Sequence, residues 1–593
     1  MEKIHLVTCK NIKSWSKSKK NILLGGWCYD YKKKNEYKKF NFEIVNYPTL
    51  MWCERKDINF ANKNQKIIDE KLKLFARILN KFHNTNYSNN YWFVILSPWL
   101  SHFISSILIL EERLKIISSK YKISSATFYK NKDNIFLPKD YAEGFKLLAF
   151  DGNYINKIIY EIFNQNFKIK KINFIECENK FNFKQKDFRD TEGFSIKKII
   201  KKSFFKFADF IPLIENKPFI SGTVLPTISE TFLKIVNFQS PKYIDFSKSY
   251  NFRTNYSKRN KINLHLLFYK NISTENNFLT SLILKYLPCS YIENYKKNVQ
   301  IKNNKNWPKS PKYIFSCLNH YFDEIFKIYA AENVEQQIPY FLGQHGNNYS
   351  TRIPYWKFPE TYTASKFLVW GKKLNFSNSI GSVNLRKPKK ILSKKFIKKN
   401  GILLLCKTSY NETNLLETIY DDQNENFEFL KRFIENLNEE KKNQLTIRLL
   451  NHEINKYCCE GLRFKDYDPK INLEFGNSPV FNLINKNNIT VFGYDSTGFL
   501  ECLSLNIPVL MYINIKELKY LRSDVINDYK TLIRLKIIHT NSREICNHIN
   551  KIWNNPVEWW YEKKLQIQIN KFKEKYSRTV KNPVMYINKI LKN

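Results

Sequence analysis

A chain of 593 residues is too long for a small binding module and has room for about two or three hydrophobic cores; with 43% apolar and 26% charged residues it reads as globular over most of its length. Lysine and arginine outnumber aspartate and glutamate by 98 to 54, a formal net charge of +44, which points to anionic surroundings such as phosphorylated substrates, an anionic membrane face or nucleic acid, although a compositional bias toward Lys, Asn and Ile produces the same total. The 11 cysteines lack the pair-of-pairs spacing of a zinc site, and with no signal-peptide pattern in MEKIHLVTCKNIK a reducing cytoplasm is expected.

In chain order, apolar runs at Ile4–Thr8 and Ile22–Leu24 predict strands and Lys66–Phe82 predicts a helix. Trp92–Leu110 carries no charged residue, but Pro98 and several serines interrupt it. It reads as a strand over Tyr91–Leu96, a Ser-Pro corner and a helix from Ser101, rather than as a membrane span. Two α/β pieces around Phe145–Phe163 come next, then a helix over Pro226–Val236 and strands at Ile262–Phe268 and Lys312–Phe315. A helix over Tyr321–Glu335 leads into the polar loop Gly343–Tyr355. The basic run Arg386–Asn400, RKPKKILSKKFIKKN, reads as a linker. Beyond it, strands at 402–406, Leu445–Leu449, Ile489–Phe492 and 509–512 alternate with helices at Glu425–Glu439, Val480–Lys486 and Thr497–Leu505. That alternation is the pattern of a doubly wound parallel sheet. Apolar residues recurring among Lys and Gln over Glu558–Tyr576 predict a further helix. Two Rossmann-like sheets facing a cleft are therefore expected, with ligands at the carboxyl ends of the strands.

Two polar corners stand out. In VFGYDSTGFLECLSLNIPVLMY (Val491–Tyr512) an apolar strand runs into Tyr494, Asp495, Ser496, Thr497 and Gly498 and then into a helix. Small hydrogen-bonding side chains and free amides are thus placed where an α/β protein holds a phosphate or nucleotide; the other reading is a capped helix start and nothing more. Glu501 either meets ribose hydroxyls or caps that helix. In the second corner, Gly343-Gln344-His345-Gly346, the histidine is a candidate for binding or proton transfer, or else bonds within its own loop. The two glycines would let the backbone approach a ligand. Arg448, near the carboxyl end of an apolar strand, needs a partner, either a diphosphate in the cleft or a structural carboxylate. His452 and Glu453 follow it as secondary candidates. No HExxH, P-loop, GxSxG elbow or RNA-binding aromatic signature is present.

Several pieces occur in order across nearly the whole chain: LLGGWC (Leu23–Cys28), WFVILSPWL (Trp92–Leu100), YLP (Tyr286–Pro288), GQHGNNYS (Gly343–Ser350), ASKFLVWG (Ala364–Gly371), IRL (Ile447–Leu449) and GYDSTGFLECLSLNIPVLMY (Gly493–Tyr512). Through them the sequence resembles a family of transferases from surface-carbohydrate and O-antigen gene regions. That family is similar in turn to the GT-B glycosyltransferases, including capsule transferases that use Kdo and the glycerophosphate polymerases. Ser350 stands where the family usually has Gly, and Leu450-Asn451-His452 replace its Pro-containing loop.

The resemblance implies a GT-B-like α/β fold. Its parts would be an enlarged acceptor-side Rossmann-like domain over 1–385, a nucleotide-donor domain over 398–545 and a helical segment over 546–593 packing back. It implies transfer of a sugar, with a CMP-activated acid such as Kdo among the donors, from a nucleotide donor to a cell-surface glycan. Family-like positions fall on Gln344, His345 and Gly346, and on Arg448, Tyr494, Ser496, Thr497 and Glu501. His345 and Gln344 take the catalytic position and the others the donor; the residue reading adds Gly343, Asp495 and Gly498 to the donor side. No convincing DxD-like metal pair is present, so catalysis without a metal or cofactor is expected, the nucleotide-sugar being a substrate. A glycan or lipid-linked glycan would be the acceptor, reached from the cytoplasm with peripheral contact to the anionic inner membrane. The alternatives are glycerophosphate or phosphoalditol transfer, and a non-catalytic basic nucleic-acid-binding protein, which would leave both polar corners unexplained.

Overall fold

The computed structural model describes residues 1–45, 53–130, 137–167, 171–176, 213–240, 259, 274–374, 378–389, 401–407, 423–449 and 459–593. Among them the strands form three sheets, parallel throughout. The first contains β1 (Lys3–Val7), β2 (Lys20–Leu23), β3 (Phe42–Ile44), β4 (Lys122–Tyr129) and β5 (Ile172–Ile175), in the order β3-β2-β1-β4-β5. The second contains β6 (Phe219–Ile220), β7 (Ile314–Ser316), β8 (Tyr340–Gly343), β9 (Lys366–Val369) and β10 (Ser379–Gly381), in simple sequential order. The third contains β11 (Ile402–Leu405), β12 (Leu445–Arg448), β13 (Asn472–Glu474), β14 (Ile489–Phe492), β15 (Leu510–Tyr512) and β16 (Ile538–His539), ordered β13-β12-β11-β14-β15-β16.

The third order is that of a doubly wound nucleotide-binding sheet, which reverses direction between β11 and β14. Both strands at that switch are buried along their whole length, as expected of strands covered on both faces, which is why they read as unbroken apolar runs. The second and third sheets are the two Rossmann-like units whose polar corners meet; the first is a further parallel sheet carried ahead of them. The expected strand Ile262–Phe268 and the residues His452 and Glu453 lie outside the described residues.

One expected element is different in kind. Tyr91–Leu96 is not a strand but the opening of a helix, Asn89–Lys120, that runs through Pro98. Ser88 caps it, its hydroxyl accepting from the Tyr91 amide. The helix is buried on nearly all sides against the helices Ile58–His83 and Glu324–Glu335. An all-round apolar helix shows no 3.6-residue polarity, so its sequence resembles a buried strand. It is long and apolar enough to cross a membrane, yet 89% of its apolar window is buried inside the protein, the state of a core helix.

The C-terminal helices strap the second and third units together. Lys563–Tyr576 packs on the helices Thr497–Ser504 and Ile526–Arg534 of the third unit. The chain then crosses to the second unit, where the Lys372 and Asn384 amides donate to the carbonyls of Lys575 and Arg578 at 3.2 and 2.7 Å. Gly371, at φ +132, allows this crossing, because a Cβ there would lie 2.2 Å from the Lys575 carbonyl oxygen. Arg386–Lys389, the start of the expected linker, is docked rather than free: the Val580 amide donates to the Pro388 carbonyl at 3.0 Å.

A buried cation makes the second brace. Arg352, 2% exposed, donates from one terminal nitrogen to Asp495 at 3.0 Å and to Glu517 at 2.9 Å. Backbone bonds flank it, Ile353 to Tyr520 at 2.9 Å and Arg522 to Thr351 at 3.0 Å. Removing the cation would leave two carboxylates buried without their partner. Arg352→Met is therefore expected to lower the unfolding free energy by about 3–5 kcal/mol in urea titrations; a loss below about 1 kcal/mol would show that water or other groups replace the guanidinium.

Candidate active site

The site forms where β14 of the third sheet and β8 of the second deliver their loops to one point. After β14 the chain turns through Gly493, Tyr494, Asp495 and Ser496 into the helix Thr497–Ser504. Ser496 is that helix's N-cap, its hydroxyl accepting from the Phe499 amide at 3.0 Å, and a Cβ on Gly498 would stand 2.9 Å from the Phe492 ring. These two residues build the corner. Asp495 is likewise consumed: Asn347, Arg352 and the Tyr529 hydroxyl donate to it at 2.7, 3.0 and 2.8 Å. The residue that its sequence context placed on the donor side thus braces the two units, its carboxylate accepting all three bonds from within the protein. Thr497 and Tyr494 remain part-exposed; burial pushes the Tyr494 phenol up to about 12, against the pull of Arg448.

Arg448 closes β12 and already has a carboxylate partner, Glu474 on β13, at 3.2 Å. The structural alternative for this arginine is therefore realised. Glu501, on the second turn of the helix, is mostly buried and its carboxyl is pushed up by that burial, with Arg386 and Lys387 pulling it back.

On the other side, β8 ends at Gly343, where a Cβ would come within 2.6 Å of Leu385 and 2.7 Å of the Cys317 sulfur. Packing alone already requires glycine here. Gln344 is fully buried: its Nε2 donates to the Gly346 carbonyl and its Oε1 accepts from the Trp370 amide, both at 2.8 Å. Placed in the catalytic position by its sequence context, Gln344 here uses both ends of its amide to shape the loop. The loop then reaches the other unit. The Asn347 amide donates to the Thr497 hydroxyl at 3.0 Å, and a Cβ on Gly346 would sit 3.4 Å from the same oxygen.

His345 lies at this meeting point with its side chain about a quarter exposed. Behind it is a carboxylate that sequence reasoning missed. Glu360, fully buried, accepts from the Tyr349 hydroxyl at 2.6 Å and the Tyr321 hydroxyl at 3.1 Å, and lies 3.1 Å from His320 and 3.9 Å from His345. The Tyr349 oxygen is in turn 3.1 Å from His345 Nδ1. Burial drives the His345 imidazole down to about 4, with Glu360 opposing and His320 and Arg386 reinforcing the shift. Burial raises the Glu360 carboxyl, but the two histidines and Tyr349 outweigh it and hold that group at about 2. The pair at rest is thus a neutral imidazole before an ionised carboxylate.

Arg386 completes the site. Its Nε donates to the His345 carbonyl at 2.7 Å, its side chain is 41% exposed, and it stands 3.9 Å from Glu501. The basic run that contains it masked this residue as linker. His320 follows β7 just as His345 follows β8, and the strand-end rule applied to β8 would have found it. Glu360 gave no comparable signal, sitting at the start of a four-residue helix.

A model of the LIC12162 transferases matches residues 4–591. The chain belongs to the LIC12162 transferase family. No curated protein matches this LIC12162 transferase. Among solved structures it is similar to MurG of Acinetobacter baumannii, at 9% identity over 50% of this chain and 75% of that one, with a TM-score of 0.27. It is similar also to a UDP-N-acetylglucosamine 2-epimerase assigned in Listeria monocytogenes, at 13% identity over 64% and 95% of the two chains, TM-score 0.33. The wall teichoic acid polymerase TagF gives 8% identity over 48% and 72%, TM-score 0.27. These overlaps are distant, and the α/β architecture of this LIC12162 transferase rests on its own strand order.

The electrostatics of the His345 cluster are directly measurable. By histidine NMR, His345 is expected to titrate near pH 4 rather than at the ordinary 6.5, and Glu360→Gln should move its midpoint lower still, because the carboxylate is the charge that raises it. A parent midpoint at 6.5 would show that the exposed quarter of the side chain keeps the ring hydrated and would remove the lowered titration.

Proposed function

We propose that this transferase moves a sugar from a nucleotide donor to a cell-surface glycan, with His345 taking the proton of the acceptor hydroxyl. The observation that carries this reading is the part-exposed imidazole backed by a buried carboxylate at the point where the two polar corners touch, its pKa lowered by burial. Tyr349 spends its own proton on Glu360, so its oxygen accepts from Nδ1–H of His345 and leaves Nε2 as the nitrogen with a free lone pair. As Nε2 takes the proton, the acceptor oxygen bonds to the anomeric carbon, and the bond from that carbon to the donor phosphate breaks with its electron pair going to the leaving nucleotide. Glu360 then stabilises the imidazolium across Tyr349, the role a buried carboxylate plays behind a catalytic histidine.

The charge on the departing phosphate falls to Arg386 and to the amides at the start of the helix Thr497–Ser504, with the Thr497 hydroxyl beside them. On this reading no metal or cofactor is assigned a step, and Arg448 shapes the floor of the donor side through Glu474. A CMP-linked sugar acid such as Kdo fits the reading as donor and a lipid-linked glycan as acceptor, the enzyme working from the cytoplasm at the inner membrane surface.

The test is donor turnover by the pure protein with CMP-, CDP-, UDP- and GDP-linked donors, with product mass separating sugar transfer from phosphoalditol transfer. His345→Ala is expected to reduce kcat by about 100-fold or more while donor affinity changes little. Arg386→Ala should instead weaken donor binding by about tenfold or more, the loss of a charge-assisted bond. Turnover of the His345 variant within about threefold of the parent would remove the general-base assignment.

A further inference from the structure

The helix Thr227–Ile235 carries apolar residues on two opposite faces. Leu233 is buried with Leu225 against the second sheet. Ile228, Phe232 and Ile235, spaced i, i+4 and i+7, face away from it and are 85%, 50% and 55% exposed. Phe238, just beyond the helix in a left-handed backbone conformation, is 70% exposed. The C-terminal helix Pro583–Lys592 packs alongside, joined by an Asn237–Asn588 hydrogen bond of 2.9 Å, and adds Met585 at 55% exposure. Single exposed apolar residues are ordinary on protein surfaces, but a row at helical spacing is not, since a solvated helix face is normally polar.

Among the described residues, the exposed charges named beside this ridge are lysines. Lys217 lies 4.8 Å over the Phe238 ring, and Lys581, Lys589 and Lys592 are exposed on and beside the C-terminal helix. The neighbouring acids are engaged: Glu230 pairs with Lys234 at 2.6 Å and accepts from Thr223, and Glu215 accepts from the Lys309 and Ser310 amides at 2.8 and 3.0 Å. A handful of apolar side chains is far short of the roughly 20–30 residues per partner that a stable protein interface takes. Apolar side chains that can enter the headgroup region, with lysines set to meet anionic lipid, are what an interfacial membrane contact requires.

We infer that the ridge Ile228, Phe232, Ile235, Phe238 and Met585, with its flanking lysines, docks this protein on an anionic phospholipid bilayer. β6, which leads into the helix, runs parallel to β7 and β8, so the helix starts at the end of the second sheet that carries His345. Phe238 at the far end of the ridge returns to Lys217, ahead of β6, so the ridge runs along the flank of the second sheet, and the contact does not depend on which group the enzyme transfers.

The experiment is co-sedimentation of the full chain with phosphatidylcholine vesicles with and without roughly 30% phosphatidylserine, at about 50 and 500 mM salt. Binding is expected only with phosphatidylserine and to weaken in high salt. Phe232→Asp with Phe238→Asp should reduce it by about tenfold or more. Both side chains are exposed, and aspartate tolerates the left-handed backbone, so an unchanged melting temperature shows that the variant is folded. Lys589→Glu with Lys592→Glu should also weaken binding and flatten its salt dependence. Unchanged binding by the double-aspartate variant would overturn the proposal. So would a parent that is dimeric in solution and becomes monomeric on that substitution, because the ridge would then be a contact between two copies.

Discussion

Asp495 is the hinge of the structure's logic. It ends the turn after β14, and three donors from elsewhere in the chain converge on its carboxylate: Asn347 and Arg352 from the loop after β8, and Tyr529 from the third unit itself. A buried carboxylate must be paired or neutralised, so this group decides how the second and third sheets meet. With Asn347 held there, its amide reaches Thr497, and His345 is carried to the start of the helix beyond. The same bonds that stabilise the interface set the geometry of the site.

The cluster behind His345 follows a similar economy. Glu360 carries its charge in the interior because two tyrosine hydroxyls and two imidazoles surround it. Burial acts on the His345 ring in the opposite sense and keeps it neutral. The two effects are complementary: an uncharged ring can take a proton, and the nearby carboxylate favours the cation that results. Arg386, bonded to the His345 carbonyl and still considerably exposed, places a permanent positive charge at the mouth of the same site.

What could be read from the amino-acid order follows from the range over which each signal acts. The four inner strands of the third sheet and the helix after Thr497 were legible because apolar runs and 3.6-residue spacing are written in consecutive residues, whereas the short edge strands β13 and β16 were not. That the loop carrying His345 could meet Thr497 was legible too, since each lies at the carboxyl end of a parallel strand. The opening of the helix Asn89–Lys120, ahead of Ser101, was not, because a helix buried on every side loses the polar face by which its period is recognised.

The sequence by itself therefore determined the parallel α/β layout, the position of the two polar corners and the family to which the chain belongs. Only the tertiary structure decided which polar groups are bonded within the protein. Asp495, Ser496 and Gln344 have the composition of a binding corner but are spent on internal bonds, Arg448 is met by Glu474, and Glu360 and Arg386 were drawn in from a short helix and a basic run. The physical reason is that a hydrogen bond joins whatever the fold brings within 3 Å. Asn347 and Thr497 are 150 positions apart, and nothing in the local order of residues at either end specifies the other.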